Sequence, residues 1–313
     1  MTQRVAAIDC GTNSLRLLIA DVDPARHDLT DVERRMEIVR LGQGVDATGR
    51  LAPEALERTF AMLTQYRDQI AAAGAAAVRM VATSATRDAS NAAEFSRGVH
   101  DILGVEPEVI TGDEEARLSF TGATAELGED GPPPPYLVVD IGGGSTEFVL
   151  GGDLDRALAA ISVDIGCVRL TERHLHGDPP AAAEVQAATD DIEKALDDVA
   201  AAVPAAAANT LVGLAGSVTT VTAIALGLTV YDPRRTHHAR IPAPTVHQVT
   251  SQLLAQNRAE RAAIPALHPG RVDVIGAGAL ILDRVMQRFG FAEVVTSEHD
   301  ILDGIAWSIA GRD

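Results

Sequence analysis

Apolar residues run through Val5-Ala6-Ala7-Ile8 and stop at Asp9-Cys10-Gly11-Thr12-Asn13-Ser14; they run again through Leu137-Val138-Val139 and stop at Asp140-Ile141-Gly142-Gly143-Gly144-Ser145. A short apolar run closed by turn residues is the pattern of a buried strand. A second strand-like run follows each, Leu15 to Val22 and Thr146 to Leu150. Each copy therefore predicts a β-hairpin whose turn carries Asp-x-Gly-x-x-Ser. The glycines admit positive φ and let an oxyanion approach the backbone closely. A unit that occurs twice predicts two similar domains, each offering half of a phosphate clamp.

The pattern beyond the first hairpin predicts a strand over 32–39, a glycine-punctuated loop over 41–46 and a helix from Pro53 to about Ala73. The helix carries Leu56, Phe60 and Leu63 on one face and stops at Gly74. Strands are expected at 78–82 and 106–110 and a helix at 91–103, with Thr83 to Arg87 as a loop. A further helix starts at Thr111 and runs to about Leu127. Residues 129–135, with four consecutive prolines, predict a linker between a domain at 1–128 and another at 136–313, whose last helix could pack back on the first domain. The second half repeats the order: a strand near 159–163, an alanine-rich acidic helix over 183–203, then Leu211 to Thr220 as strand, Gly-Ser turn and helix start. Residues 232–241 form a basic loop, followed by helices at 245–257 and 270–289, a strand at 292–296 and a last helix near 300–310. Alternating strands and helices after each hairpin predict α/β domains with mixed sheets.

The net charge of −18 excludes a general nucleic-acid or anionic-membrane binder. Lys194 is the only lysine, which excludes a P-loop and a pocket Schiff base. Positive charge for an anionic ligand must come from arginine. The two cysteines, Cys10 and Cys167, have no metal-type spacing; with no apolar run long enough to span a membrane, a reducing cytoplasm is the expected location.

Asp9 and Asp140, each at the carboxyl end of a strand, read as turn residues or as carboxylates that hold Mg²⁺ opposite phosphate-binding turns. Glu147, on the returning strand, either reaches the same site or faces solvent. Thr111-x-x-Glu114 is a capping box, which gives Glu114 a structural task and leaves Glu115 as a candidate general base or a glutamate favoured by the helix dipole. Arg87 is a candidate phosphate ligand or a surface arginine. Gly216-Ser217 at a helix start is a candidate anion site. His237 and His238 lack acid or thiol partners for a metal, and Cys10 reads as a core residue.

Asp9 to Ser14, Thr111-Gly112-Asp113-Glu114-Glu115-Ala116-Arg117, Asp140 to Glu147 and Gly213-Leu214-Ala215-Gly216-Ser217 together resemble the exopolyphosphatase/guanosine pentaphosphate phosphohydrolase (Ppx/GppA) family. The resemblance runs from about Arg4 to Ile309. It implies two duplicated ribonuclease H-like domains of the actin–Hsp70–sugar kinase superfamily with a cleft between them. It implies Glu115 as catalytic base and Asp140 and Glu147 serving metal and water; the paired-carboxylate reading adds Asp9 as a metal ligand, and Mg²⁺ or Mn²⁺ is the expected cofactor. Phosphates are expected on Gly11, Thr12, Asn13 and Ser14, on Gly142, Gly143, Gly144 and Ser145, and on Arg87, Gly216 and Ser217. The expected reaction releases terminal phosphate from inorganic polyphosphate. Guanosine pentaphosphate is the rival substrate; a non-catalytic alarmone sensor and a kinase of the same superfamily are rivals of other classes. No nucleic acid or membrane partner is expected, and a homodimer is left open. Longer members carry further C-terminal helical domains; this sequence ends at Asp313, so a weaker grip on very long chains is expected, with Arg16, Arg117, Arg169 and Arg271 as candidates for the substrate tract.

Overall fold

The computed structural model describes residues 2–125, 127, 131–152 and 157–311. The chain divides into two compact units: unit 1 takes Met1–Gly122 and Ile301–Asp313, and unit 2 takes Ala123–Asp300. In chain order, β1 (Gln3–Cys10), β2 (Ser14–Asp23), β3 (Asp28–Ile38), α1 (Val45–Thr48), α2 (Pro53–Ala73), β4 (Ala77–Ala82), α3 (Ser84–Asp88), α4 (Ala92–Leu103), β5 (Glu108–Val109) and α5 (Gly112–Thr124) come first. Next are β6 (Tyr136–Ile141), β7 (Thr146–Gly151), β8 (Ala157–Val163), α6 (Cys167–His174), α7 (Ala182–Ala202), β9 (Thr210–Leu214) and α8 (Ala215–Ala225). Then follow α9 (Pro233–Thr236), β10 (Arg240–Pro242), α10 (Ala243–Ala255), α11 (Arg258–Ala262), α12 (Ile275–Phe289), β11 (Glu293–Thr296) and α13 (Ile301–Ala310).

Unit 1 holds a sheet in the order β3-β2-β1-β4-β5, in which β1, β2 and β3 form an antiparallel meander and β4 and β5 run parallel to β1. Strand β1 is apolar without alternation because both its faces are covered. Ala6, Ile8 and Cys10 pack with Leu56, Leu63 and Tyr66 of α2 and Phe95 of α4. Val5 and Ala7 pack with Leu118 of α5 and Ile301, Leu302 and Ile305 of α13. Unit 2 repeats the order: β8-β7-β6-β9-β11 matches β3-β2-β1-β4-β5, and β10 is added antiparallel at the edge. Both meanders carry a register shift between their second and third strands, at Ile19/Ala20 and Leu150/Gly151. The architecture is the expected α/β duplication with two mixed sheets.

Local departures from the sequence pattern have identifiable causes. Thr83 to Arg87, expected as a loop, turns helical at α3 because the Thr83 carbonyl accepts from the N–H groups of Thr86 and Arg87. Helix α12 begins at Ile275 rather than 270, because Pro269–Arg271 form a 3₁₀ turn first. The division between units falls at Gly122/Ala123, ahead of the expected proline linker. Residues 129 and 130 of that linker lie outside the described residues. Its prolines are tied to unit 2: Thr210 Oγ1 donates to Pro133 O and Asn209 Nδ2 to Pro134 O. No helix among the described residues is long and apolar enough to cross a membrane.

Helix α13 comes back to unit 1 and is fastened there. Arg34 of β3 pairs with the buried Asp303, and Arg79 Nη1 donates to Ser308 Oγ at 2.7 Å. Between these anchors, Gly304 meets the backbone of α5 so closely that a Cβ at 304 would lie 2.0 Å from Leu118 O. Only glycine permits that approach. Gly304→Ala should therefore cost about 1–3 kcal/mol of stability, as overpacking does. Denaturant unfolding of the full chain checks this; an unchanged midpoint would mean that the α5–α13 contact relaxes freely.

Candidate active site

In both units the chemistry-bearing residues lie where parallel strands end. Asp9 closes β1, Thr83 to Arg87 follow β4 and Thr111 to Glu115 follow β5; Asp140 closes β6, and Gly213 to Ser217 follow β9. Ligands of open α/β sheets bind at the carboxyl ends of the strands.

The turn in unit 1 is closed by the Gly11 N–H on Ser14 O at 3.0 Å. Arg40 N–H donates to Asn13 O and Gly42 N–H to Thr12 O, which turns the carbonyl edge of the loop toward protein. Thr12 Oγ1 and Ser84 Oγ share a hydrogen bond at 2.9 Å, joining the turn to α3. Two donors in this half, Asn13 Nδ2 and Thr86 Oγ1, are buried and have no hydrogen-bond partner among the described residues. Such groups cost about 1–3 kcal/mol each unless something accepts from them. A phosphate oxygen would.

Glu115 is buried on the first turn of α5, and its Oε2 accepts from Arg87 Nη1 at 3.2 Å. The same Nη1 donates to Ile110 O at 3.0 Å. Glu114 is held differently. Its N–H is capped by Thr111 Oγ1, and its carboxylate pairs with the buried Arg79 at 2.8 Å rather than reaching back to close the box. The two adjacent glutamates thus have separate partners, Arg79 on β4 and Arg87 on α3.

Position for position, the two hairpins differ in one decisive way. Asp9 stands directly opposite Arg16, and Asp140, in the same register, stands opposite Glu147. In unit 1 Arg16 Nε and Nη2 both donate to Asp9 Oδ2, at 2.9 and 2.7 Å. In unit 2 two buried carboxylates are neighbours on one face, and Ser162 Oγ donates to Glu147 Oε1 at 2.7 Å.

The Gly142–Ser145 turn is closed as its counterpart is, by Gly142 N–H on Ser145 O at 3.1 Å. Helix α6 braces it: Cys167 N–H donates to Gly142 O, and the N–H groups of Val168 and Arg169 donate to Gly143 O. Arg169 Nε donates to Gly144 O at 2.6 Å. At the start of α8, Ala215 sits at a φ of 64°, a strained conformation for a residue with a Cβ. The Arg271 guanidinium lies over Gly216, where a Cβ would come within 1.8 Å of its Cζ. Ser217 is buried beside Cys167. His237 and His238 stack at 3.7 Å between ring centroids, with His299 at 4.8 Å from His237. No group of three or more His, Cys, Asp or Glu side chains among the described residues is placed to hold a metal ion.

The Ppx/GppA phosphatase family profile matches residues 18–312. Exopolyphosphatase 2 of Mycobacterium tuberculosis is 51% identical over 319 residues, covering 98% of this chain and 99% of that protein. The chain belongs to the Ppx/GppA phosphatase family. The crystal structure of an exopolyphosphatase-like protein matches with a TM-score of 0.95 at 43% identity, covering 99% of both chains. The crystal structure of an exopolyphosphatase from Cytophaga hutchinsonii matches with a TM-score of 0.89 at 25% identity, covering 98% of this chain and 97% of that one.

For this Ppx/GppA protein the sequence pattern missed Arg16 as the partner of Asp9 and Ser162 as the partner of Glu147. Lining up the two hairpins residue by residue exposes Arg16, since it occupies the place of Glu147. Nothing in the sequence points to Ser162. Burial pushes both thiols up, that of Cys10 well above its ordinary value, where nearby Asp9 adds to the effect. Neither is a nucleophile at neutral pH. Native protein should therefore react with a thiol reagent at neither cysteine, and unfolded protein at both. Rapid native labelling with loss of activity would overturn this.

Proposed function

We propose that this Ppx/GppA family protein is an exopolyphosphatase that releases terminal orthophosphate from inorganic polyphosphate. The observation that carries the reading is the contrast between the hairpins: Asp9 faces a guanidinium, whereas Asp140 faces a second carboxylate. Like charges directly opposite on adjacent strands are destabilising, so the unit 2 hairpin is built to take a cation. Mg²⁺ is typically bound by one or two carboxylates, completing its shell with water and substrate phosphates. Asp140 and Glu147 match that donor set, and Mn²⁺ would serve in the same place. Asp9, with Oδ2 held by Arg16, is assigned to holding its turn rather than to the metal. When bound, the cation offsets the negative charge of the phosphoryl oxygens.

The remaining roles belong to the chain's own groups. The turns at 11–14 and 142–145, with Asn13 Nδ2 and Thr86 Oγ1, bind and orient phosphate oxygens. The Glu115 carboxylate takes the proton from a water whose oxygen bonds to the terminal phosphorus. The bond from that phosphorus to the bridging oxygen breaks, and the electron pair leaves on a chain one unit shorter. Arg87 keeps Glu115 oriented through its bond to Ile110 O. Arg169, bonded to Gly144 O, is assigned to the turn rather than to the substrate tract.

Phosphate release should be measured with Mg²⁺ on short polyphosphate, long polyphosphate, guanosine pentaphosphate and ATP at matched end concentrations. Turnover is expected on polyphosphate. Turnover mainly of the guanosine compound would move the same residues to alarmone metabolism, and binding without turnover would make the protein a sensor. Glu115→Ala should lower turnover by about 10²–10⁴-fold, the range for a lost general base, with polyphosphate binding retained. Asp140→Ala should raise the Mg²⁺ concentration needed for half-maximal activity, whereas Asp9→Asn should leave it close to wild type. Equal metal titrations for all three proteins would remove Asp140 from the metal site.

A further inference from the structure

Asp140, Glu147 and Ser162 form one row across β6, β7 and β8: Asp140 is opposite Glu147, and Glu147 is opposite Ser162. Residues directly opposite in an antiparallel ladder share a face. The equivalent row in unit 1 is Asp9, Arg16 and Met36. There the guanidinium fixes the carboxylate and the third place is apolar. In unit 2 the second place carries another carboxylate, and the third carries a hydroxyl whose oxygen lies 2.7 Å from Glu147 Oε1. Ser162 is the one polar residue of β8, whose other members are Ala, Leu, Ile and Val.

We propose that Ser162 is a positioning residue that holds the Glu147 carboxylate beside Asp140 for the cation, an inference that rests on the reading of Asp140 and Glu147 given above. Glu147 has three rotatable side-chain bonds before its carboxylate, and burial alone does not choose among its rotamers. A hydrogen bond from a short side chain on the neighbouring strand favours one of them. Groups that orient metal ligands are typically worth 10–100-fold in metal affinity.

The test uses the full-length protein and its Ser162→Ala, Ser162→Thr and Glu147→Gln variants. Mn²⁺ binding is read directly from the electron paramagnetic resonance of the free ion, and Mg²⁺ titrations of phosphate release separate metal half-saturation from turnover at saturating metal. Ser162→Ala should weaken Mn²⁺ binding by about 10–100-fold and raise the Mg²⁺ half-saturation in step, with turnover at saturating metal largely retained. Ser162→Thr, which keeps the hydroxyl on the strand, should restore both. If Ser162→Ala binds Mn²⁺ as wild type does while Glu147→Gln loses it, the cation site stands and the role of Ser162 is overturned. If Ser162→Thr is as impaired as Ser162→Ala, the residue is packing rather than positioning, and the proposal fails. If Glu147→Gln also binds as wild type, the cation reading itself falls, and this inference with it.

Discussion

The positions facing each other across the second hairpin, Asp140 on β6 and Glu147 on β7, set the terms for unit 2. Like-charged side chains directly opposite on adjacent strands oppose pairing, and here both carboxylates are buried. The first hairpin shows the resolved form of the same geometry, because Arg16 neutralises Asp9 in place. Duplication supplied two identical frames, and the residue seven places after the aspartate decided what each became. One pairs its aspartate with a guanidinium, and the other, on the reading proposed above, accepts a cation.

Around that difference the scaffold is conservative. Both units run the same strand order and end their parallel strands at the residues that matter. Each turn has its glycine N–H closing on the serine carbonyl, and its own carbonyls bonded to nearby backbone, from the 40–42 loop in unit 1 and from α6 in unit 2. The turns are therefore braced by backbone hydrogen bonds, so on the proposed reading little ordering entropy opposes phosphate binding. Glu115 depends on a longer chain of support. Its helix α5 is pressed by Gly304 of α13, and α13 is fastened through Asp303 to Arg34 and through Ser308 to Arg79. Arg79 also holds Glu114, so one buried guanidinium ties the first turn of α5 to β4, β5 and α13.

Much of this was legible in the sequence wherever the signal was local. The two hairpins, the helix opened by Pro53 and stopped by Gly74, and the distinct fates of Glu114 and Glu115 follow from periodicity, cap residues and the Thr111 capping position. The partners were not legible, because they come from elsewhere in the chain. Arg79 reaches Glu114 only because β4 lies beside β5, and Ser162 meets Glu147 through a strand pairing with a register shift between Leu150 and Gly151. The proline run reads as a linker by composition, yet its carbonyls accept from Asn209 and Thr210, and tertiary hydrogen bonds override the local signal.

A net charge of −18 and a polyanionic substrate are at odds at long range, and not every arginine is available to reconcile them. Arg16, Arg34, Arg79 and Arg87 are each committed to a carboxylate of the protein itself. Beyond about 8 Å at physiological ionic strength the repulsion is screened, so recognition has to be decided within a few ångströms. On the proposed reading, what the chain offers at that distance is mostly not formal charge: turn amides, the buried donors Asn13 Nδ2 and Thr86 Oγ1, the start of α8 beneath Arg271, and a carboxylate pair for a divalent ion. On that reading a cation on Asp140 and Glu147 would join two acidic bodies that would otherwise repel, and the same acidity that opposes the substrate is what recruits the ion to hold it.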